Sequence, residues 1–245
     1  MATSTTFHPF NRLPFECRQR VYYFALEGLF CTLSVIAYVH TSQVPWFPPF
    51  LSCLCGTSKT ALIEAAPVFL EKCTIVVGSL RANRLLTNFL KALNNDAGVN
   101  KGFPSVRHLR FPNFHFFMGQ SISGENTDIG LIVQCPELVH AELHFQIDNL
   151  FHTTIPSVDD AWNGNIFYEY KYEPKTVKEV ADYFGLDKLA SCPMLRKIKI
   201  RVRNYDDRVM MAINEPVLTM RSVVEWLMSE FSKKGYKVGI EVVWY

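Results

Sequence analysis

The chain repeats one pattern of apolar and polar positions three times, each time directly after a proline. Counting from Pro193, apolar residues stand two, five, seven and nine positions further on, as Leu195, Ile198, Ile200 and Val202. The same pattern follows Pro104 and Pro136, and a related alternating run lies near the C-terminus: Val238, Ile240, Val242 and Trp244. Strict alternation predicts strands that are buried on one face, and its recurrence behind helix-like segments predicts a structural repeat.

A helix is predicted before each of these strands, three of them because apolar residues recur at intervals of three and four and the one at 127–134 because Thr127 and Asp128 can cap it. The helical stretches are residues 81–93, 127–134, 176–190 and 217–234. The order helix, strand, helix, strand favours parallel strands that are joined by helices. Since the strands alternate and do not read as continuous apolar runs, we expect helices on one face only. The predicted fold class is therefore α/β, a mostly parallel sheet with helices on one face in an irregular leucine-rich-repeat-like arrangement.

The same periodicities predict which side chains form the core. The buried residues of the strands and the last helix are expected to include Leu143, Phe145, Leu195, Ile198, Ile200, Leu227 and Phe231. Val224 and Met228 are predicted to share the buried side of that last helix. Residues 146–175 interrupt the repeat with Trp162 and three alternating tyrosines, and we interpret them as an insertion with a small hairpin or a packed loop.

Composition sets the size and the general class of the protein. The chain has 245 residues, 49% hydrophobic and 20% charged, enough for one large domain with a small N-terminal addition. A net charge of +2 gives no nucleic-acid signature. The seven scattered cysteines fit reduced thiols in a cytosol or nucleus. No signal peptide is predicted, and the most apolar window, residues 29–39, is too short for a membrane span and is predicted to form a buried strand pair.

Two motifs near the N-terminus carry a resemblance to a known family. The first is Phe10-x-x-Leu13-Pro14-x-Glu16-x-Arg18-x-x-Val21-Tyr22-x-x-Ala25-Leu26. The second combines a Leu/Cys-rich segment at 51–55, the run Glu64-Ala65-Ala66-Pro67-Val68-Phe69 and a predicted strand at 73–77. In this order they resemble the F-box-like domain that is abundant in fungal proteins. The predicted division is an F-box-like helical/β region at 7–77 and an irregular repeat α/β domain at 78–245.

The resemblance implies a function in protein interaction. It implies that this chain is an adaptor that binds the linker subunit of a cullin-type ubiquitin ligase and recruits a target. The implied contact residues are the motif positions Leu13, Pro14, Glu16, Arg18, Val21 and Tyr22. The alternative is a stand-alone binding protein whose first helix only caps the sheet, as terminal units of repeat proteins do. Exposure of the apolar residues of that helix separates the two hypotheses.

Polar side chains on the other face of the predicted strands form the candidate target-binding surface. They are His108, Arg110, His140, Glu142, His144, Lys197, Lys199, Arg201 and Arg203. Four bases stand in one row on the third strand, so the surface is either a solvated face or a positive groove floor for an acidic peptide or a phosphate-bearing partner. We expect an acidic protein partner and not nucleic acid, because no aromatic residues interleave with the bases.

The sequence lacks the motifs that would indicate catalysis or a cofactor. It contains no Gly-x-Ser-x-Gly elbow, no phosphate loop and no His-Glu-x-x-His. His140 and His144 share a strand face, but strand geometry separates them by about 13 Å, which is far for joint metal ligation. We therefore predict a protein that is not an enzyme and holds no cofactor or metal. An enzyme would need a deep pocket with converging titratable groups.

Overall fold

The computed structural model describes residues 10–27, 32–35, 48, 50–94, 98–114, 126–154, 171–203 and 215–245. The α-helices in these residues are α1 (Phe15–Leu26), α2 (Lys59–Lys72), α3 (Leu80–Ala92), α4 (Thr127–Gln134), α5 (Val177–Phe184) and α6 (Glu215–Lys233). The strands are β1 (Thr32–Val35), β2 (Thr74–Val77), β3 (His108–Phe111), β4 (His140–Gln146), β5 (Phe151–Thr154), β6 (Lys171–Pro174), β7 (Lys197–Arg203) and β8 (Gly239–Trp244). Short 3₁₀ helices lie at Phe10–Arg12, Cys53–Gly56, Phe103–Ser105, Ile147–Leu150 and Leu186–Ser191.

Six of the strands form one parallel sheet in the order β1-β2-β3-β4-β7-β8. The strands of this sheet follow one another in chain order, and the antiparallel pair β5-β6 is inserted between β4 and β7. The predicted parallel sheet is confirmed, with the four repeat strands β3, β4, β7 and β8 adjacent as expected. Strand β2 is the short strand that the second motif predicted.

The three prolines of the repeat lie in tight turns that lead into β3, β4 and β7. A hydrogen bond from the fourth residue to the first closes each turn: Val106 N to Phe103 O (3.2 Å), Leu138 N to Cys135 O (3.1 Å) and Leu195 N to Cys192 O (3.3 Å). Proline stands second in each turn, where its fixed φ of about −65° is suitable. The fourth residue is fully buried in all three turns. This fourth residue is the first apolar position of the pattern, and each strand begins two residues after it.

The sheet is buried on one face. The residues of β2, β3, β4 and β7 that point to this face are at most 3% exposed: Ile75, Val77, Leu109, Phe111, Ala141, Leu143, Phe145, Ile198, Ile200 and Val202. All seven predicted core residues are confirmed at 0–1% exposure. Right-handed crossovers between strands that follow in one direction place all connecting helices on the same face, which agrees with this burial.

Two helices differ from their predicted form. The predicted helix 176–190 ends at Phe184, because Gly185 adopts a left-handed conformation with φ 69° and a 3₁₀ helix follows it. In α6, Leu227 and Phe231 are buried as predicted, but Met228 is 50% exposed and Val224 only partly buried. Met220 and Val223 are buried instead, so the core-facing side of α6 is rotated from the predicted one.

The insertion contains the small hairpin that was one of its two interpretations. After β4, a 3₁₀ helix leads to β5, which pairs with β6 from Phe151 opposite Pro174 to Thr154 opposite Lys171. Trp162 and two of the alternating tyrosines lie outside the described residues. Of the strand pair predicted at 29–39, β1 is one member, and the rest of that stretch lies outside the described residues.

Candidate functional site

Helix α1 is attached to α2 by an ion pair and two buried side chains. The Arg18 guanidinium donates from Nε to Glu64 Oε2 at 2.9 Å and from Nη2 to Oε1 at 2.6 Å. Its Nη1 donates to the carbonyl oxygen of Leu13 at 2.6 Å, which fixes the start of the helix. Tyr22 and Leu26, one and two turns further on, are 4% and 0% exposed. Arg18 and Tyr22, both predicted partner contacts, therefore lie at the contact with α2.

The other side of α1 exposes apolar side chains. Cys17, Val21 and Phe24 follow one another at helical spacing and form a stripe. Phe24 is 68% exposed, Val21 is 45% exposed, and Cys17 is also exposed. Leu13 and Phe15 are also exposed at the start of the helix, where the Phe15 ring centroid lies 6.0 Å from the Arg18 guanidinium carbon. We name these five residues, Leu13, Phe15, Cys17, Val21 and Phe24, the α1 surface.

Of the predicted contact residues, Leu13 and Val21 thus belong to the α1 surface. Pro14 and Glu16 are exposed at the N-terminal end of the helix beside it. Phe24 was missed by the sequence prediction, although its spacing of seven from Cys17 and three from Val21 was visible in the sequence.

A cavity of about 290 Å³ lies beside the α1 surface, between α1 and the start of α2. Its lining includes Phe10, Val21, Tyr22, Ala25, Leu54 and Ala61. Apolar side chains make up most of this lining, so the cavity suits an apolar anchor side chain from a protein partner.

The second candidate surface is the face of the sheet opposite the core, which we name the open face. The alternation of β3, β4 and β7 brings all nine predicted polar residues onto it. Strand β8 adds Glu241, which the register places beside Lys199. With the histidines neutral, these residues comprise five bases and two carboxylates, so the surface carries excess positive charge.

Charges on the open face alternate from strand to strand. The register places Arg110, Glu142, Lys199 and Glu241 side by side on β3, β4, β7 and β8. The row of four bases along β7 is therefore flanked by a carboxylate on each neighbouring strand. Glu241 Oε2 lies 2.7 Å from Lys197 Nζ, and its Oε1 lies 3.6 Å from Lys199 Nζ. Glu241 was missed by the prediction, which considered charge along strands and not across them.

Glu142 is the centre of the open face. Its Oε1 lies 3.1 Å from Arg110 Nε, 2.8 Å from Arg201 Nε and 2.8 Å from His144 Nε2. Of these three contacts only the His144 contact has hydrogen-bond geometry. Both Arg Nε atoms are buried and make no hydrogen bond within the described residues. The two arginines therefore interact with Glu142 mainly through charge.

The protonation states of this cluster follow from its surroundings. Burial alone would raise the pKa of Glu142, but the hydrogen bond from His144 and the charges of Arg110 and Arg201 outweigh it and lower that pKa. Burial lowers the pKa of His144, although Glu142 opposes this. A neutral His144 beside an ionised Glu142 must carry its proton on Nε2, so Nδ1 accepts from the hydroxyl of Tyr245 at 3.1 Å. Tyr245, missed by the prediction, thus completes the cluster.

The other two histidines form a separate pair. The rings of His108 and His140 meet edge to face with centroids 6.0 Å apart. Burial is the main cause that lowers the pKa of both, so both are neutral near pH 7. His140 and His144 therefore contact different neighbours and do not converge on one point.

No protein-family model, no curated protein and no solved structure matches this chain. In the part of the chain that the structure describes, no helix is both long enough and apolar enough to cross a membrane. The candidate binding sites of the described residues are therefore the α1 surface and the open face.

Proposed function

We propose that this protein is a non-enzymatic interaction module of the cytosol or nucleus, an F-box-like adaptor with two binding surfaces. The α1 surface docks the linker subunit of a cullin-type ubiquitin ligase, and the open face holds a target for ligation. The exposure of the apolar stripe of α1 carries this proposal. Phe24 at 68% and Val21 at 45% present apolar area to water, and clustered apolar exposure of this kind marks interaction sites.

The same observation weighs against the capping hypothesis. Terminal caps of repeat proteins present a polar outer face, because their purpose is to end the apolar core. Helix α1 exposes Glu16 and Arg20 on its outer side, but the apolar Val21 and Phe24 are exposed there as well. The cavity beside it adds a place for a partner side chain.

One feature favours the alternative of a stand-alone binding protein. Arg18 and Tyr22, two prominent motif residues, face α2 and stabilise the packing of the two helices. These motif positions are therefore explained without a partner.

The open face supports the target-binding half of the proposal through its excess positive charge. Two carboxylates offset only part of the charge of five bases. An acidic peptide is attracted by such a surface, and the attraction weakens with salt.

Direct titration of the full chain with purified linker subunit tests the docking half. We expect micromolar or tighter binding by the wild type and at least a tenfold loss in Phe24→Asp and Val21→Asp, as expected for interface anchors. Met228→Asp on α6 is the matched control, since Met228 is an apolar side chain of similar exposure at 50%. A wild type that fails to bind, or α1 variants that bind like the control, would remove the ligase function and leave the stand-alone alternative.

A further inference from the structure

Strand β8 forms an edge of the sheet, and among the described strands it pairs with β7 alone. The N–H groups of Gly239 and Tyr245 donate to β7-side carbonyls, at Arg196 (2.8 Å) and Val202 (3.2 Å). Within a strand, alternate residues direct their N–H and C=O groups to opposite sides. The backbone groups of Ile240, Val242 and Trp244 therefore point away from the sheet.

Proteins prevent unwanted pairing at a sheet edge with short strands, prolines, bulges and outward charges. Strand β8 has few of these features. Its six residues pair with β7 in an unbroken register and contain no proline. Its single charge, Glu241, is paired with Lys197 and Lys199 of β7. Strand β1 at the other edge has only four residues.

Side chains on the core face are incompletely covered at the same edge. Ile240 and Val242 are partly buried, and Trp244 is 36% exposed. Their neighbours on β7, Ile198, Ile200 and Val202, are 0–1% exposed. A further strand beside β8 would remove more of this apolar area from water.

We propose that β8 pairs in antiparallel fashion with the β8 of a second copy of this chain, around a twofold axis at Val242. The outward backbone groups are symmetric about this residue. Val242 then exchanges two hydrogen bonds with its own counterpart, and Ile240 exchanges two with Trp244 of the second copy, as does Trp244 with Ile240. The strand is thus complementary to itself, which is what a twofold interface requires.

The sequence of β8 selects this register. An axis at Glu241 would form two fewer hydrogen bonds between the two copies of β8 and place two carboxylates directly opposite each other, which is destabilising. The axis at Val242 places Glu241 opposite Val243 of the second copy. It also puts Tyr245 opposite Gly239, where no side chain interferes. The open faces of the two copies then lie on the same side of one continuous sheet.

The second copy is inferred from the outward backbone groups and the register of β8, so the proposed dimer does not depend on the ligase hypothesis. Sedimentation velocity of the full chain, from low micromolar to several hundred micromolar, tests it. We expect a concentration-dependent dimer. Val242→Pro should make the protein monomeric with an unchanged circular dichroism spectrum, because the N–H that it removes faces away from β7.

Two charge variants test the register even if the proline variant does not fold. Val243→Glu would place a carboxylate opposite Glu241 of the second copy, and Val243→Lys would place an ammonium there. We expect dimer affinity to fall about two- to thirtyfold in the first and to rise in the second. Within one copy Val243 lies beside Arg201, so the effects on monomer stability should have the opposite sign. A wild type that stays monomeric, or Val243 variants that act alike, would overturn the proposal.

Discussion

The α1 surface and the open face are both exposed, but they differ in how far contacts within the chain offset the cost of exposing them to water. On the open face opposite charges alternate across strands, and Glu142 and Glu241 are each surrounded by bases. Such a face is stable in water without a partner. The α1 surface consists of apolar side chains whose exposure is unfavourable unless something covers them. The α1 surface is therefore the stronger docking candidate. Binding to the open face would depend on the charge of the partner and would weaken with salt.

The largest effect is expected where neither surface is involved. Leu143 and Glu142 are neighbours on β4, but Leu143 points to the core and is 1% exposed. We expect Leu143→Ala to lower the free energy of unfolding by about 2–5 kcal/mol through lost burial and a cavity. Urea denaturation measures this. An unchanged unfolding midpoint would contradict the assignment of the two faces of the sheet.

The next effect concerns the attachment of α1. Glu64→Ala removes the acceptor of the bidentate Arg18 pair, whose side chains are only 16% and 10% exposed. We expect a lower melting temperature, because Arg18 would keep its charge at a largely covered contact without its counterion. Glu225→Ala is the matched control, since the Arg221–Glu225 pair is 73% and 65% exposed. Equal melting temperatures for the two variants would show that the Arg18–Glu64 pair does not stabilise the α1–α2 contact.

The Glu142 cluster predicts a dependence on pH. The pKa of Glu142 in the folded protein lies below its ordinary value of 4.5, so the folded protein binds this proton more weakly than the unfolded chain does. The stabilisation is therefore present above about pH 4.5 and is lost as the pH falls through the lowered pKa. We expect the stability advantage of wild type over Glu142→Gln to shrink on acidification. Urea titrations at several pH values measure it, and a constant difference would contradict the charge pairing.

The smallest effect on stability is expected from Lys197→Gln combined with Lys199→Gln. Lys197 is 51% exposed and Lys199 is 22% exposed, and each substitution on this solvated face should change the free energy of unfolding by about 0.5 kcal/mol or less. Capture of an acidic peptide should nevertheless weaken and depend less on salt, because two of five bases are lost. Arg201 is less suitable for this purpose, because its Nε lies 2.8 Å from Glu142 Oε1 and its removal would disturb the Glu142 cluster. Binding with an unchanged salt profile would mean that the open face is only a solvated surface.

The fold could be predicted because each strand and helix shows its pattern of apolar and polar positions in consecutive residues. Alternation after Pro104, Pro136 and Pro193 identified β3, β4 and β7, their order and the buried side of each. The contacts of the open face could not be predicted, because strand register brings Glu241 and Tyr245 beside residues distant in sequence. The row of bases on β7 was visible in the sequence. The carboxylates that flank it lie on β4 and β8, so they could be found only from the pairing of these strands with β7.

Helix rotation set a second limit on prediction. Met228 and Val223 both satisfy a helical apolar pattern, and only the packing of α6 decides that Val223 is buried and Met228 exposed. The same holds for α1, where apolar residues occur around much of the circumference. Contact with α2 selects Tyr22 and Leu26 for burial and leaves Val21 and Phe24 outside.

The most direct test of two separate surfaces is a quantitative pull-down with the full chain, read by mass spectrometry. It compares wild type, Phe24→Asp and the double variant Lys197→Gln with Lys199→Gln. We expect Phe24→Asp to lose the ligase linker subunit and keep the acidic targets, and the double variant to show the reverse. If both variants lose the same proteins, or neither loses any, the assignment of docking to α1 and of target binding to the open face is wrong.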